Sequence, residues 1–181
     1  MKAIVLLANG FEESEALSPV DVMRRADIDV ELLSITKDEL VVSSHGVRVL
    51  ADNTLSNFRG DYDLMMLPGG MPGSRNLDAS KDVRDIVNEA YTNGKWIAAI
   101  CAAPMVFGHM GFVNGRRATV YPGFESEMTG ATLTGNQVET DGNVITGIGA
   151  GASFAFGLEL VKALKGKEVA DTIKSQIKLL P

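Results

Sequence analysis

Trp96-Ile-Ala-Ala-Ile-Cys-Ala-Ala-Pro104 reads as a buried strand that turns sharply into a helix. Trp96 to Ile100 present apolar groups to both faces, as a strand inside a covered parallel sheet must. The residues around Cys101 are small, and Pro104 suits a first helical turn, where its missing N–H has no partner to lose. The same alternation extends in both directions. Lys2 to Ala8 reads as a strand, Ser14 to Ala26 as a helix and Val30 to Ile35 as a strand. Val41-Val42 and Val47 to Leu50 flank the turn-forming Ser43-Ser44-His45-Gly46 and predict a small inserted hairpin. Asp63 to Leu67 is a further buried strand, closed by Pro68-Gly69-Gly70. Lys81 to Asn93 is a helix with an apolar stripe of Val83, Ile86, Val87 and Ala90, capped by Gly94.

Beyond the opening stretch, Pro104 to about Met110 is expected to be helical and Ala118 to Tyr121 extended, with a short helical turn over Phe124 to Met128. A polar hairpin follows over Val138 to Thr146, turning at Asp141-Gly142-Asn143. Phe154 to Leu164 and Glu168 to Leu179 close the chain as helices. Neither a linker nor a repeat interrupts the pattern, so residues 1–181 read as one domain. The fold class is α/β, doubly wound, with a mostly parallel central sheet and helices on both faces.

A net charge of −6 and the lack of any Lys or Arg run argue against a nucleic-acid partner. The apolar N-terminal run ends at Asn9-Gly10 and leads into Glu12 and Glu13, which fits a buried strand and not a signal sequence. No stretch approaches the roughly 20 apolar residues of a membrane-spanning helix. One cysteine and two histidines are too few for a metal cluster, and a free thiol fits a reducing cytosol. The expectation is a soluble cytoplasmic protein that uses neither metal nor cofactor.

Cys101 occupies the turn where an α/β nucleophile elbow carries its reactive residue, and unpaired donors at the following helix start favour a thiolate and lower its pKa. The alternative is a cysteine packed as a small hydrophobe. Neighbours come from the carboxyl ends of adjacent strands, where open α/β sheets bind ligands. The first strand runs out into Glu12, Glu13 and Glu15, any of which can serve as an acid or base, although Glu12 and Glu13 also suit a helix N-terminus. Gly69 and Gly70 can turn N–H groups toward an oxyanion, or form an ordinary tight turn. A Cys-His dyad is unsupported. His109 stands eight residues beyond Cys101, about 12 Å of helical rise, and nothing in the sequence brings His45 to the thiol. Gly147-Ile-Gly149-Ala-Gly-Ala152 meets a loose dinucleotide pattern, but no second parallel strand follows it, so it reads as a tight strand-to-helix connection. Met65, Met66, Met105 and Met110 read as core filling.

Six motifs together carry a family resemblance. They are Gly10-Phe-Glu-Glu-Ser-Glu-Ala16, Pro19-Val-Asp-Val-Met-Arg-Arg-Ala26, Leu67-Pro-Gly-Gly70, Ala98-Ala-Ile-Cys-Ala-Ala-Pro104, Gly151-Ala-Ser-Phe154 and Gly166-Lys-Glu-Val-Ala170. In order and approximate spacing the chain resembles the ThiJ/PfpI superfamily, in particular its parkinsonism-associated deglycase-like branch. The resemblance implies a flavodoxin-like three-layer sandwich that forms homodimers, with Cys101 as nucleophile and Glu15 as the catalytic acid that hydrogen-bonds the thiolate. Backbone N–H groups at Gly69, Gly70 and Ala102 then line the site. Implied activities are glutathione-independent conversion of methylglyoxal to lactate and deglycation of early aldehyde adducts. Oxidant sensing through the cysteine, chaperone-like behaviour and, less favoured, an intracellular cysteine peptidase activity are also implied.

One departure concerns Tyr121-Pro122, where several relatives carry a histidine before the proline. A phenol can donate a hydrogen bond but is a weak base near neutral pH, so Tyr121 is expected in a supporting role. His45 falls in a region that the family uses at its dimer interface, and is a candidate for a similar role.

Overall fold

The computed structural model describes residues 1–179. In chain order the elements are β1 (Lys2–Leu7), α1 (Glu13–Arg25), β2 (Asp29–Ser34), β3 (Leu40–Val42), β4 (Arg48–Leu50), β5 (Asn53–Thr54), β6 (Leu64–Leu67), α2 (Gly73–Ala79) and α3 (Lys81–Thr92). There follow β7 (Trp96–Ile100), α4 (Pro104–His109), β8 (Arg117–Ala118), β9 (Thr132–Leu133), β10 (Val138–Asp141), β11 (Val144–Gly147), α5 (Ser153–Lys165) and α6 (Lys167–Gln176). The main sheet runs β10-β11-β7-β6-β1-β2-β5. Every pairing in it is parallel except β10 with β11.

Alternation along the strands divides the core into two layers. Ala3, Val5 and Leu7 of β1 join Ala98 and Ile100 of β7 on the face covered by α1, α5 and α6, where Val20, Met23, Phe156 and Leu160 are buried. Ile4 and Leu6 join Met65, Leu67, Ile97 and Ala99 on the opposite face, under Leu77, Val83, Val87, Met105 and Phe107 of α2, α3 and α4. Successive side chains of a strand point to opposite faces, so strands apolar throughout require cover on both sides. This is the flavodoxin-like sandwich with its small antiparallel hairpin, β3–β4.

The expected elements appear with three differences. The extended run over Ala118 to Tyr121 pairs only at Arg117–Ala118, with β9, because beyond that point Tyr121 gives its N–H to the Cys101 carbonyl and not to a strand neighbour. The last helix ends at Gln176, short of Leu179. Strands β5 and β9 and helix α2 were absent from the sequence reading. Strands β5 and β9 have two residues each, and α2 buries one large apolar side chain, Leu77. None of these lengths supports a detectable period.

The chain leaves β1 toward β2 on one side and later returns to β6 and β7 on the other. The sheet order therefore reverses between β1 and β6, and such a switch point opens a crevice at the carboxyl ends of the strands.

Candidate functional site

Three loops meet at that crevice. The loop after β1 and the loop after β6 are stitched by backbone bonds: Glu12 N–H donates to the Gly69 carbonyl at 2.9 Å, and Gly73 N–H to Gly10 at 3.1 Å. Asn76 Nδ2 adds a donor to the Asn9 carbonyl at 2.9 Å. Side chains at Gly69 or Gly70 would not fit. A Cβ on Gly69 would land on Glu15 Oε2 and on Cys101 Cβ, and one on Gly70, whose φ is +90°, would land on the Glu12 amide.

Cys101 sits between β7 and α4 with φ +64°, a left-handed conformation that costs a non-glycine residue on the order of 1–2 kcal/mol. Its neighbours hold it there. Cys101 N–H donates to the Gly147 carbonyl at 2.9 Å, and its own carbonyl accepts from Tyr121 N–H at 2.8 Å. The thiol is partly exposed, and the N–H groups of Gly70 and Ala102 are directed at it.

Glu15 lies in the first turn of α1. Glu12 is the N-cap of that helix, its carboxylate accepting from Glu15 N–H at 2.7 Å. This leaves the Glu15 side chain to turn inward, where it is 1% exposed. Oε2 is buried without a partner of full hydrogen-bond geometry, and the groups set against the carboxyl are the Cys101 thiol and the Gly69 N–H. Burial pushes the Glu15 carboxyl up to about 7, only partly opposed by the thiol. The Cys101 thiol is pushed up to about 12, first by burial and then by the Glu15 charge, against the two backbone donors. The lowered thiol pKa expected from a helix start is therefore reversed, because burial of the sulfur, reinforced by the Glu15 carboxylate beside it, outweighs two N–H dipoles. The two groups act as a pair that shares one proton. It rests either on sulfur, facing a carboxylate, or on the carboxyl, facing a thiolate.

The other expected residues are placed differently. Tyr121 touches Cys101 through its backbone; its ring lies over Gly149 and is 49% exposed. His45 Nδ1 is 3.1 Å from Glu13 Oε1, with the histidine side chain 68% exposed, so it faces a neighbour of the pair and not the pair itself. His109 is bound by Asp78 and Glu127. Glu12, Glu13 and His45 bring three potential ligand atoms within 4.8 Å of one another, but helix capping and the His45–Glu13 contact account for them. Among the described residues, no helix is long and apolar enough to cross a membrane. The sequence reading missed the stitching between the β1 and β6 loops; Asn9 and Gly73 were its only signals.

The comparisons agree with this architecture. A protein from Danio rerio named Parkinson disease protein 7 homolog is 38% identical over 97% of this chain and 96% of its own. The chain is 37% identical to Protein DJ-1 homolog B of Arabidopsis thaliana, but spans only 42% of that protein's length. Among solved structures, Drosophila melanogaster DJ-1beta superposes with a TM-score of 0.94 at 33% identity, covering 99% of this chain and 98% of that one. Oxidized Toxoplasma gondii DJ-1 gives 0.93 at 34% identity, covering 97% of each. The family model described as DJ-1/PfpI matches residues 1–163, and the chain belongs to the DJ-1/PfpI family.

Proposed function

We propose that the chain converts small α-oxoaldehydes, with methylglyoxal as the type substrate, to hydroxy acids, and removes early aldehyde adducts by the same chemistry. The observation that carries this reading is the buried Glu15 carboxyl set against the Cys101 thiol on a strained elbow. Loss of the pair's first proton leaves one negative charge between sulfur and carboxyl. The thiolate form is favoured by three donors, the N–H groups of Gly70 and Ala102 and the Glu15 O–H. Sulfur adds to the aldehyde carbon, and the new alkoxide takes a proton to give a hemithioacetal. Glu15, now ionised, removes the hydrogen from that carbon and returns a proton to the former ketone carbon, so that the first carbon is oxidised to a thioester as the second is reduced to an alcohol. Water then cleaves the thioester, releasing lactate and restoring the thiol.

Neither histidine serves a peptidase-type dyad in this scheme, since both have carboxylate partners. Incubation with methylglyoxal, with lactate assayed directly, tests the reading. Retention of the wild-type rate in Cys101→Ser or Glu15→Gln overturns it.

A second reading, oxidant sensing with redox-regulated chaperone behaviour, is favoured by a Glu15 carboxyl that burial pushes up to about 7, which favours the protonated form able to donate to a sulfinate. One relative was solved in a form titled oxidized. Mild peroxide followed by intact-mass analysis should add two oxygen atoms at Cys101, whereas oxidation confined to methionines argues against it. A homodimer in a reducing cytoplasm completes the proposal. Its support is the run of exposed apolar side chains on the β3–β4 hairpin, Leu40, Val42, Val47 and Leu50.

A further inference from the structure

His109 ends α4 and is the only titratable residue of that helix. Its Nδ1 is 2.9 Å from Asp78 Oδ2 on α2, and its Nε2 is 2.7 Å from Glu127 Oε2 in the 3-10 turn Glu125–Glu127. A neutral imidazole has one N–H, so two hydrogen bonds to two carboxylates require the imidazolium. Both carboxylates have a second cation. Arg84 Nη1 of α3 is 3.1 Å from Asp78 and Arg75 Nη2 of α2 is 2.8 Å from Glu127. Glu125, on the same turn as Glu127, accepts instead from Gly123 N–H. Burial alone pulls the His109 pKa down, but Glu127 and Asp78 carry it above the ordinary histidine value.

The location gives the cluster its meaning. Helix α2 leaves the Gly69-Gly70 loop, α4 leaves the Cys101 elbow, and the 3-10 turn follows Tyr121, whose N–H holds the Cys101 carbonyl. The backbones of α4 and this turn also touch, since a Cβ on Gly108 would land on the Glu127 carbonyl oxygen. All three segments that shape the thiol's surroundings thus reach the cluster, α2 through Arg75 and Asp78, α4 through His109 and the turn through Glu127. Arg75 and Arg84 keep α2 tied to the turn and to α3 whatever the pH, whereas α4 is tied by side-chain charge through His109.

We propose that His109 is a positioning residue whose imidazolium clamps the elbow helix to α2 and to the 125–127 turn, so that loss of its proton loosens the surroundings of Cys101. The proposal deepens the reading of Cys101 as the reactive centre, but it holds whether or not aldehydes are the substrate. Because its pKa is raised in the fold, the clamp is fully formed below the ordinary histidine value and is lost as pH rises through the elevated one.

The test compares iodoacetamide alkylation of Cys101 in the wild type and in His109→Gln, from about pH 5.5 to about pH 9. The ratio of the two rates cancels the titration of the Cys101–Glu15 pair itself. The rate of His109→Gln over that of the wild type is expected to be about five-fold in acid and to fall toward unity as pH rises, with its midpoint at the His109 pKa followed by NMR of the ring. A ratio independent of pH, or equal to one throughout, overturns the proposal. Glu127→Gln, which keeps the histidine and removes one carboxylate, should move the midpoint of the ratio to lower pH; an unmoved midpoint also overturns it. Alkylation needs no aldehyde turnover, so a failure of the glyoxalase reading leaves these outcomes intact.

Discussion

Glu15 is held in a place where its charge is unwelcome. Its pKa stands near 7 in the fold against an ordinary 4.5, first because of burial. A raised carboxyl pKa means that the native state binds more protons than the unfolded chain between those two values, so stability falls as pH rises through that window. Glu15→Gln removes the penalty. Urea unfolding should find this variant more stable than the wild type at pH 8, by up to about 3 kcal/mol, with the difference closing toward pH 4.5. The same substitution should lower lactate formation by at least about 100-fold and abolish the rise in rate through pH 7, as loss of a general acid–base group does. Gly69 offers a complementary test. In Gly69→Ala the new methyl group collides with both members of the pair, and the expected result is a loss of about 1–3 kcal/mol in urea together with a thiol that resists alkylation.

At the scale of elements, the placement of Glu15 depends on how closely α1 approaches α5. Gly157 of α5 permits that approach, since a Cβ there would lie 2.9 Å from Pro19 Cα and 3.0 Å from Val22 Cβ. Alanine has the higher helix propensity, by about 1 kcal/mol, so a surface site would gain from Gly157→Ala. Here the added methyl group must push α1 outward, and with it Glu15. The expected outcome is a net loss of about 1–2 kcal/mol, read as a fall of several degrees in Tm. The elbow is a second case in which an element acts through its surroundings. The left-handed Cys101 is kept by bonds to Gly147 and Tyr121, residues on segments remote in sequence.

At the scale of the whole molecule, the β3–β4 hairpin joins the exposed apolar surface to the site. Gly10 N–H donates to the Val42 carbonyl at 2.8 Å and Ser44 N–H to Phe11 at 2.7 Å, which fastens the hairpin to the loop that leads into α1. A partner covering Leu40, Val42 and Leu50 would press on that loop. Sedimentation equilibrium should report a dimer for the wild type and a monomer for Val42→Lys combined with Leu50→Lys. The monomer is expected to alkylate at Cys101 with an altered rate, because the loop it leaves uncovered sits beside Gly69.

Much of this was legible in the sequence. Strands apolar on both faces, such as Lys2 to Leu7 and Trp96 to Ile100, can be satisfied only inside a covered sheet, and small residues around Cys101 with Pro104 after it mark a sharp turn into a helix. The six motifs suffice for the family, the strand-to-helix turn singles out Cys101, and Glu15 follows only from the resemblance. The short elements β5 and α2 were not legible, because a period needs more residues than they have. Nor was the direction of the thiol's pKa, since a helix start predicts a lowered value and only the packed fold buries the sulfur. His109 illustrates the same limit: its helix-end position was readable, but its two carboxylates come from segments 31 and 18 residues away. Periodicity and turn chemistry are local properties that a sequence carries outright, whereas charge–charge distances and burial arise between distant segments and were decided by the tertiary structure.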